Sequence, residues 1–577
     1  MPVSWYLKAV SSISCSSIVS LCKFTVLGCV LAFVSSLSQF SCVGITGHLY
    51  LKLTAYVKNG SCLSPTTRCY LLRWFHGDHH SCQEEQAATK MAPTIGDVCK
   101  DHPKDSDDLV RKERPRVFNK EGSGQKKFGP LMVAFVGIPA RGKTVMAHKL
   151  ARYLNWTGEV AKVFTVSEYR RKLVEQYDSH DLFRADNHEA MEIRKKSSVA
   201  AMEDAAQWLK EEGNVAVLDG TNATRAQREN VHDYCTTFGC KLLFIESMCD
   251  DEDILSRNIK EVLQNSPDYR DMAEEKALDD FHHKIQHYLE QYEPINPKQE
   301  VNIRYIKSMN EGESVSVRHV TGQLECRILA FLSNFKPASK TLYFSRHGES
   351  ENNVLGRIGG DTNLSPRGRK YAQSLARHMN EVKIEGLKVW TSELRRTKQT
   401  AEGIDAPAEH MASVNELHAG VCEGLTYEEM QDKYPQEFAW RDQDKLRYRY
   451  PWGESYVDIM ARLDPVLLEL EHEDNVLVVS HQAVLRCILG YFLNKKPDEL
   501  PYINVPLHTL IKVTTDGYNC HMECIKLNVE CVDTYRKQPK NCSADRTADD
   551  ALLTVPSHYD SLNYWQLTGQ SPLIKQH

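Results

Sequence analysis

Apolar residues gather in short runs, separated by longer stretches where apolar positions recur at helical spacing. That alternation predicts buried parallel strands joined by crossover helices, an α/β architecture. The clearest run is Leu131-Met132-Val133-Ala134-Phe135-Val136, followed by glycine and a helical stretch. Runs at Val215 to Leu218 and Leu242 to Ile245, separated by helical patterns such as Ala200 to Leu209, continue the series. Around Lys336-Pro337-Ala338 the pattern resets, and a new strand is expected from Thr341 to Ser345. A further run, Val476-Leu477-Val478-Val479, leads through Ser480-His481 into a helix-like Ala483 to Leu493. After about Val529 the chain turns polar and poorly periodic.

The organisation expected from this pattern is an apolar, cysteine-rich extension over 1–90 and a charged linker over 91–128. Two α/β domains follow over 129–337 and 338–530, and a tail over 531–577. Residues 24–47 carry no charged side chain, a length that spans a bilayer. A signal anchor, a cleaved targeting segment, and an upstream extension absent from a working protein that starts at Met91 all fit this segment.

With 577 residues the chain has room for two or three domains, each with its own core. Charged residues make up 26%, and a net charge of -6 gives no broad basic field, which disfavours nucleic-acid binding. Of 18 cysteines, those beyond residue 100 show neither metal-ligand spacing nor a paired framework, so they read as reduced thiols.

Two phosphate chemistries stand out. Gly137-Ile138-Pro139-Ala140-Arg141-Gly142-Lys143-Thr144 follows a strand and opens a helix, the context in which backbone N–H groups and a helix N-terminus cradle nucleotide phosphates. Lys143 then reaches the β and γ phosphates, and Thr144 helps to hold Mg2+. Asp219 ends a neighbouring strand, where a carboxylate orients the metal or the attacking hydroxyl, or else caps the next helix. Arg170, Arg171, Arg194 and Arg225 are candidates for a substrate phosphate.

The second chemistry is Arg346-His347-Gly348-Glu349, just past a strand, with His481 past another. Two histidines at equivalent strand ends can converge on one pocket. A neutral imidazole attacks phosphorus, and Arg346 and Arg396 neutralise the transferring oxygens. Glu416 is the acid for the leaving alcohol, provided that the closed pocket keeps its proton on against those arginines. The surrounding strings Thr391-Ser392-Glu393-Leu394-Arg395-Arg396-Thr397 and Asn415-Glu416 make the combination far more specific than the tripeptide alone.

With these strings, Arg357-Ile358-Gly359-Gly360-Asp361, and the run Arg441-Asp442-Gln443-Asp444-Lys445-Leu446-Arg447-Tyr448-Arg449-Tyr450-Pro451, the chain from about Gly129 to Val529 resembles the bifunctional 6-phosphofructo-2-kinase/fructose-2,6-bisphosphatase family. The resemblance implies a P-loop kinase that phosphorylates the 2-hydroxyl of fructose 6-phosphate with Mg2+ and ATP. It also implies a cofactor-free histidine phosphatase of the phosphoglycerate-mutase type that removes the phosphate through phospho-His347. Together these would control glycolysis against gluconeogenesis. A homodimer is implied, with the catalytic domains in the cytoplasm and a membrane contact only if the amino-terminal segment is an anchor.

Family roles carry over to Glu416 as proton donor and to Arg346, Arg396 and His481 around the transferred phosphate. Asn353, Gly359, Tyr427, Arg441, Lys445, Tyr456, Gln482 and Arg486 surround the sugar bisphosphate. In the kinase, Asn258 joins the nucleotide loop, Cys249 and Asp219 are catalytic, and Arg170, Arg194, Thr221, Lys284 and Tyr288 take fructose 6-phosphate. Three cationic positions depart from the family pattern. Gln227 stands where arginine is expected, Leu263 where lysine is expected before Ser266-Pro267-Asp268-Tyr269, and Lys284 where arginine is expected before Tyr288. Each charged hydrogen bond lost is worth about 1.5 to 3 kcal/mol, with Lys260, one turn from Leu263, compensating in part. An intact bisphosphatase coupled to a kinase with weakened sugar affinity is therefore expected. The alternatives are a bisphosphatase whose kinase half only senses nucleotide, and a membrane-tethered scaffold that uses its domains for binding.

Overall fold

The apolar run Leu131–Val136 forms β1 at the centre of the first sheet, in a computed structural model that describes residues 129–174, 177–517, 519–536 and 538. Segment 24–47, the linker over 91–128 and the tail beyond 538 lie outside the described residues. Strand β1 pairs in parallel with β3 (Val215–Asp219) and β4 (Lys241–Met248), and all its side chains are buried, which is why the sequence is continuously apolar there. Beyond these lie β2 (Ala161–Thr165) on one side, then β5 (Tyr305–Met309) and the antiparallel edge strand β6 (Ser314–Arg318) on the other, in the order β2-β3-β1-β4-β5-β6. The helix expected over Ala200 to Leu209 is the longer His188–Glu211, capped by Asn187; its polar, exposed positions hide its start from an apolar pattern.

The second sheet runs β12-β11-β7-β10-β8-β9. Strands β7 (Lys340–Arg346), β8 (Lys388–Thr391), β9 (Ala408–His410) and β10 (Asn475–Ser480) are parallel. Strand β11 (Thr509–Asp516) runs antiparallel to β7 and pairs with β12 (Asn519–Lys526). The register pairs Arg346 with Ser480, so the residues that follow, His347 and His481, leave adjacent strands side by side. No helix among the described residues is long and apolar enough to cross a membrane.

One carboxylate links the two sheets' helices. Glu471, near the end of helix Tyr456–His472, is 1% exposed and faces Lys149 at 3.4 Å, Arg152 at 3.6 Å and Lys340 at 3.4 Å. Tyr491 donates to it at 2.6 Å. Lys149 and Arg152 lie on helix Lys143–Trp156, which begins in the nucleotide loop, while Glu471 and Tyr491 belong to the phosphatase half. Around this cluster Trp156 donates to the Cys487 carbonyl at 2.9 Å, Tyr153 donates to Asp464 at 2.7 Å, and Tyr153 stacks on Phe331 at 4.9 Å. Burial alone would raise the Glu471 carboxyl, but the charges of Lys149, Lys340 and Arg152 outweigh it and bring it down to about 2.

Glu471→Gln leaves three cations around a neutral amide, so we expect a loss of about 3 to 5 kcal/mol in urea unfolding at neutral pH; a loss below about 1 kcal/mol contradicts the assignment. Because the folded carboxyl titrates below its ordinary value, the stabilisation is present above the ordinary carboxylate range and is lost as pH falls through about 2.

Candidate active sites

The first site forms where β1 ends. Gly137 has φ 132°, and a Cβ there would lie 2.5 Å from the Ser247 carbonyl oxygen, so the loop can pass β4 only with glycine at this point. Its N–H donates to the Thr221 carbonyl at 2.8 Å, tying the loop to the segment after β3. Ile138 and Pro139 continue the turn. Ala140 and Gly142 are left-handed, Asn258 holds the Ala140 carbonyl at 3.3 Å, and Arg141 donates to Pro139 at 3.1 Å. Lys143 is folded back onto the Ile138 carbonyl at 2.6 Å, and burial, opposed by Asp219, pushes its amine down to about 8.

Thr144 donates to Asp219 at 2.9 Å, which joins the loop to the end of β3. Burial raises the Asp219 carboxyl above its ordinary value against the pull of Lys143. The helix that follows is capped by Thr224, so Asp219 faces the nucleotide loop and is not a cap. Cys249 lies half-buried just beyond β4, with its thiol raised by burial.

Of the residues expected to take the sugar phosphate, Thr221 stays beside the nucleotide loop, and Arg170, Arg194, Lys284 and Tyr288 gather around Phe183. Arg170 lies 5.7 Å from its ring, Lys284 at 4.3 Å and Tyr288 at 5.6 Å, while Arg194 donates to the Phe183 and Arg184 carbonyls at 3.3 and 3.2 Å. Arg170 is ion-paired with Asp268 at 2.5 Å, and Arg171 with the same carboxylate at 3.5 Å. Burial and then Arg170 push the Lys284 amine down to about 8. Leu263 packs in an apolar cluster with Ala140, Tyr269 and Phe281. Gln227 is exposed and engaged in a capping box with Thr224, while its neighbour Arg228 is buried against Glu300 at 2.8 Å. Arg225 is exposed and pairs with Glu229 at 3.3 Å, and Lys260 is exposed.

The second site is more completely assembled. One pocket is lined by Arg346, His347, Asn353, Gly359, Arg396, Glu416, Tyr427, Arg441, Lys445, Tyr456, Gln482 and Arg486. The His347 and His481 rings stand 5.2 Å apart. His347 Nδ1 is engaged with the Gly348 carbonyl at 2.7 Å, so that nitrogen carries the proton and Nε2 keeps its lone pair. His481 Nε2 meets Ser392 Oγ at 2.8 Å, while its Nδ1 and the Nε of Arg346 are buried with no hydrogen-bond partner. Such orphaned donors beside a nucleophile mark where phosphoryl oxygens fit. Burial, then Arg396 and Arg346, holds the His347 pKa well below the ordinary imidazole value.

Glu416 accepts from the backbone N–H groups of Leu417, Ala483 and Gln482 at 3.0, 3.2 and 3.1 Å, which aims it from the start of helix Gln482–Phe492 into the pocket. Arg396 donates to the Gly360 carbonyl at 2.6 Å. Farther in, Arg441 donates to Tyr450 at 2.7 Å and Tyr427 at 3.2 Å, Arg486 to Tyr456 at 3.1 Å, and Lys445 to the Pro501 carbonyl at 3.1 Å. Burial, then Arg486, Arg441 and Arg536, drives the Lys445 amine well below its ordinary value.

Sequence reasoning missed the parts that hold this pocket. Glu349, fully buried, accepts from Ser365 at 2.6 Å and Arg367 at 3.0 Å, and His508 Nε2 accepts from its N–H at 3.0 Å. Glu423 binds the N–H groups of Gly360 and Ala419, and its carboxylate fills the space that a Cβ on Gly359 would need. Residues 532–536, read as tail, line the pocket. The Arg-His-Gly-Glu string was a signal for Glu349, but nothing in the polar spacing of 532–536 marked them.

Comparison with known proteins agrees with this division. A 6-phosphofructo-2-kinase family model matches residues 119–339, and a histidine phosphatase superfamily (branch 1) model matches 342–528. The chain is 48% identical over 447 residues to a 6-phosphofructo-2-kinase/fructose-2,6-bisphosphatase of Aquarana catesbeiana, covering 77% of this chain and 95% of that protein. It is likewise 48% identical to 6-phosphofructo-2-kinase/fructose-2,6-bisphosphatase 1 of Homo sapiens, with the same coverages. The crystal structure of an alpha-ribazole phosphatase from Shigella flexneri aligns with 33% of this chain and all of its own at 23% identity and a TM-score of 0.30.

A buried, cation-flanked imidazole stays neutral below the ordinary histidine pKa of 6.5. In rapid-quench experiments, formation of phospho-His347 should therefore show no protonation midpoint near 6.5 as the pH is lowered. A midpoint there would mean that His347 is not desolvated as described.

Proposed function

The chain belongs to the bifunctional 6-phosphofructo-2-kinase/fructose-2,6-bisphosphatase family, making and hydrolysing fructose 2,6-bisphosphate, and from that premise we propose how its residues divide the work. In the ATP-using kinase half, the loop from Gly137 to Thr144 binds the nucleotide phosphates. Lys143 exchanges the Ile138 carbonyl for phosphate oxygens. Thr144 and Asp219, whose oxygens lie 2.9 Å apart, would hold Mg2+, which would neutralise phosphate charge. Arg170, Arg194, Lys284, Thr221 and Tyr288 orient fructose 6-phosphate so that its 2-hydroxyl faces the γ-phosphate, with Cys249 at the edge of the site. Transfer then requires mainly positioning and charge neutralisation.

In the phosphatase half His347 Nε2 attacks the 2-phosphoryl group. The P–N bond forms as the P–O2 bond breaks, and Glu416 gives its proton to O2 of the departing fructose 6-phosphate. Arg346, Arg396 and His481 neutralise the transferring oxygens. Asn353, Gly359, Tyr427, Arg441, Lys445, Tyr456, Gln482 and Arg486 hold the sugar and its remaining phosphate. Water then attacks phosphorus, Glu416 takes its proton, and phosphate leaves with His347 restored. The observation that carries this half is the β7–β10 register, from whose adjacent strand ends the His347 and His481 rings stand 5.2 Å apart.

The kinase half has a specific weakness. Leu263 is committed to an apolar cluster and Gln227 to a helix cap, so neither position offers a charge to the sugar phosphate. That favours a chain whose hydrolysis outpaces its synthesis at low fructose 6-phosphate. A homodimer fits the edge of the first sheet, where among the described residues β6 pairs only with β5 and exposes Val317 at 47%.

A paired assay on one preparation tests the division. His347→Ala should lower hydrolysis by about three orders of magnitude or more while ATP-dependent synthesis persists, and Lys143→Met should do the reverse. Loss of both activities in either variant contradicts two separate sites. Leu263→Lys should lower the KM for fructose 6-phosphate about tenfold. An unchanged KM means that the apolar residue is not what limits sugar binding.

A further inference from the structure

Glu416 sits on a stretch of chain that no ladder holds. Residues 415–419, between short 3-10 turns at Ala412–Val414 and Gly420–Cys422, form neither helix nor strand. On one flank the stretch faces a cavity of about 450 Å3 lined by Asn415, Glu416, Leu417 and His418 together with Glu454 and Arg462, so packing does not fix it there. A proton donor has to be held within a fraction of an ångström of its productive position. On that flank the restraint comes from hydrogen bonds.

Arg462, in the second turn of helix Tyr456–His472, supplies most of them, and all three of its guanidinium nitrogens are engaged. One Nη donates to the Ser413 carbonyl, and the other to the Asn415 carbonyl at 2.7 Å and the Glu416 carbonyl at 3.3 Å. Ser480, which precedes His481, donates to the Val414 carbonyl between them at 2.8 Å. Four consecutive carbonyls ending at Glu416 are thus each taken by a side chain. An arginine can serve three of them because its planar fork spaces the donors rigidly, which a lysine ammonium does not.

Glu454 fixes the fork in turn. Its carboxylate accepts from Arg462 Nε at 2.8 Å and Nη at 3.1 Å and from the His418 N–H at 3.0 Å, while its own N–H donates to the His418 carbonyl at 2.8 Å. Arg462 and Glu454 therefore grip the chain on both sides of the Glu416 side chain. Asn415 carries the restraint across the pocket, accepting from the Glu393 N–H at 2.9 Å, three residues before Arg396. Arg462 itself lies outside the lining of the substrate pocket.

Resting on the reading of Glu416 as the acid and base of the phosphatase, we propose that Arg462, braced by Glu454, is a positioning residue for Glu416. It sets where the carboxyl group meets O2 of the departing sugar and, in the second step, the attacking water.

The test uses the full chain, with ATP-dependent synthesis of fructose 2,6-bisphosphate as the control for an intact fold. In rapid-quench experiments Arg462→Ala should slow phospho-His347 formation about ten- to hundredfold at saturating fructose 2,6-bisphosphate, with KM changed by less than about twofold. Arg462→Lys, which keeps the charge without the fork, should stay at least about fivefold slow, and it carries the same comparisons if the alanine variant loses synthesis as well. The decisive readout is the combination with Glu416→Ala. Because Arg462 acts through Glu416, removing it from that background should slow the step by less than about twofold further. Effects that multiply in the double variant, a change confined to KM, or a lysine variant at the wild-type rate overturns the positioning role. A wild-type rate in Glu416→Ala would instead sink the acid and base reading beneath it, so the two failures are distinguishable.

Discussion

Both halves of this molecule bury positive charge to a degree that water alone would not permit. Burial pushes Lys143 and Lys284 down to about 8 and Arg346 down to about 10, and drives Lys445 well below its ordinary value. Holding desolvated cations so close is costly unless anions join them, and in the function proposed above substrate phosphates add to the carboxylates Asp219, Asp268 and Glu416 that already face them. The same constraint explains why the pockets lie at the carboxyl ends of parallel strands. Such strands are buried on both faces and rigid, so they can hold like charges in place until a ligand neutralises them.

Contrast the buried cluster at Glu471. There three cations surround a carboxylate supplied by the protein, and Tyr491 completes its shell. That cluster is satisfied within the fold, and it ties the helix that starts in the nucleotide loop to the helix that precedes β10. Charge matched by the protein ties the two halves together. Two opposed activities can then share one chain without sharing a residue in either pocket.

Much of this was legible from residues alone where local pattern and structure share a cause. Continuous apolar runs marked β1, β7 and β10 to within a residue, because strands buried on both faces have no polar alternative. The phosphatase pocket was legible through its strings, and every residue expected there lines it or, for His481, stands beside His347. What escaped was whatever depends on distant parts of the chain meeting. Glu349 and Glu423 hold loops by accepting backbone N–H groups, a role that no spacing reveals. Residues 532–536 carry no periodicity, yet they close the pocket because β12 returns the chain to it. In the kinase half, the departures at Gln227 and Leu263 were visible, but their local engagement in a helix cap and an apolar cluster needed the structure.

The central claim is that one chain moves a phosphoryl group from ATP to sugar at one site and from sugar to histidine at the other. It is tested most directly by giving the protein γ-labelled ATP with fructose 6-phosphate, quenching in alkali and mapping the labelled peptide. The account predicts acid-labile label on the peptide containing His347, dependent on fructose 6-phosphate and absent from Lys143→Met. Label that reaches His347 without sugar, or that is found only on another residue, would contradict it.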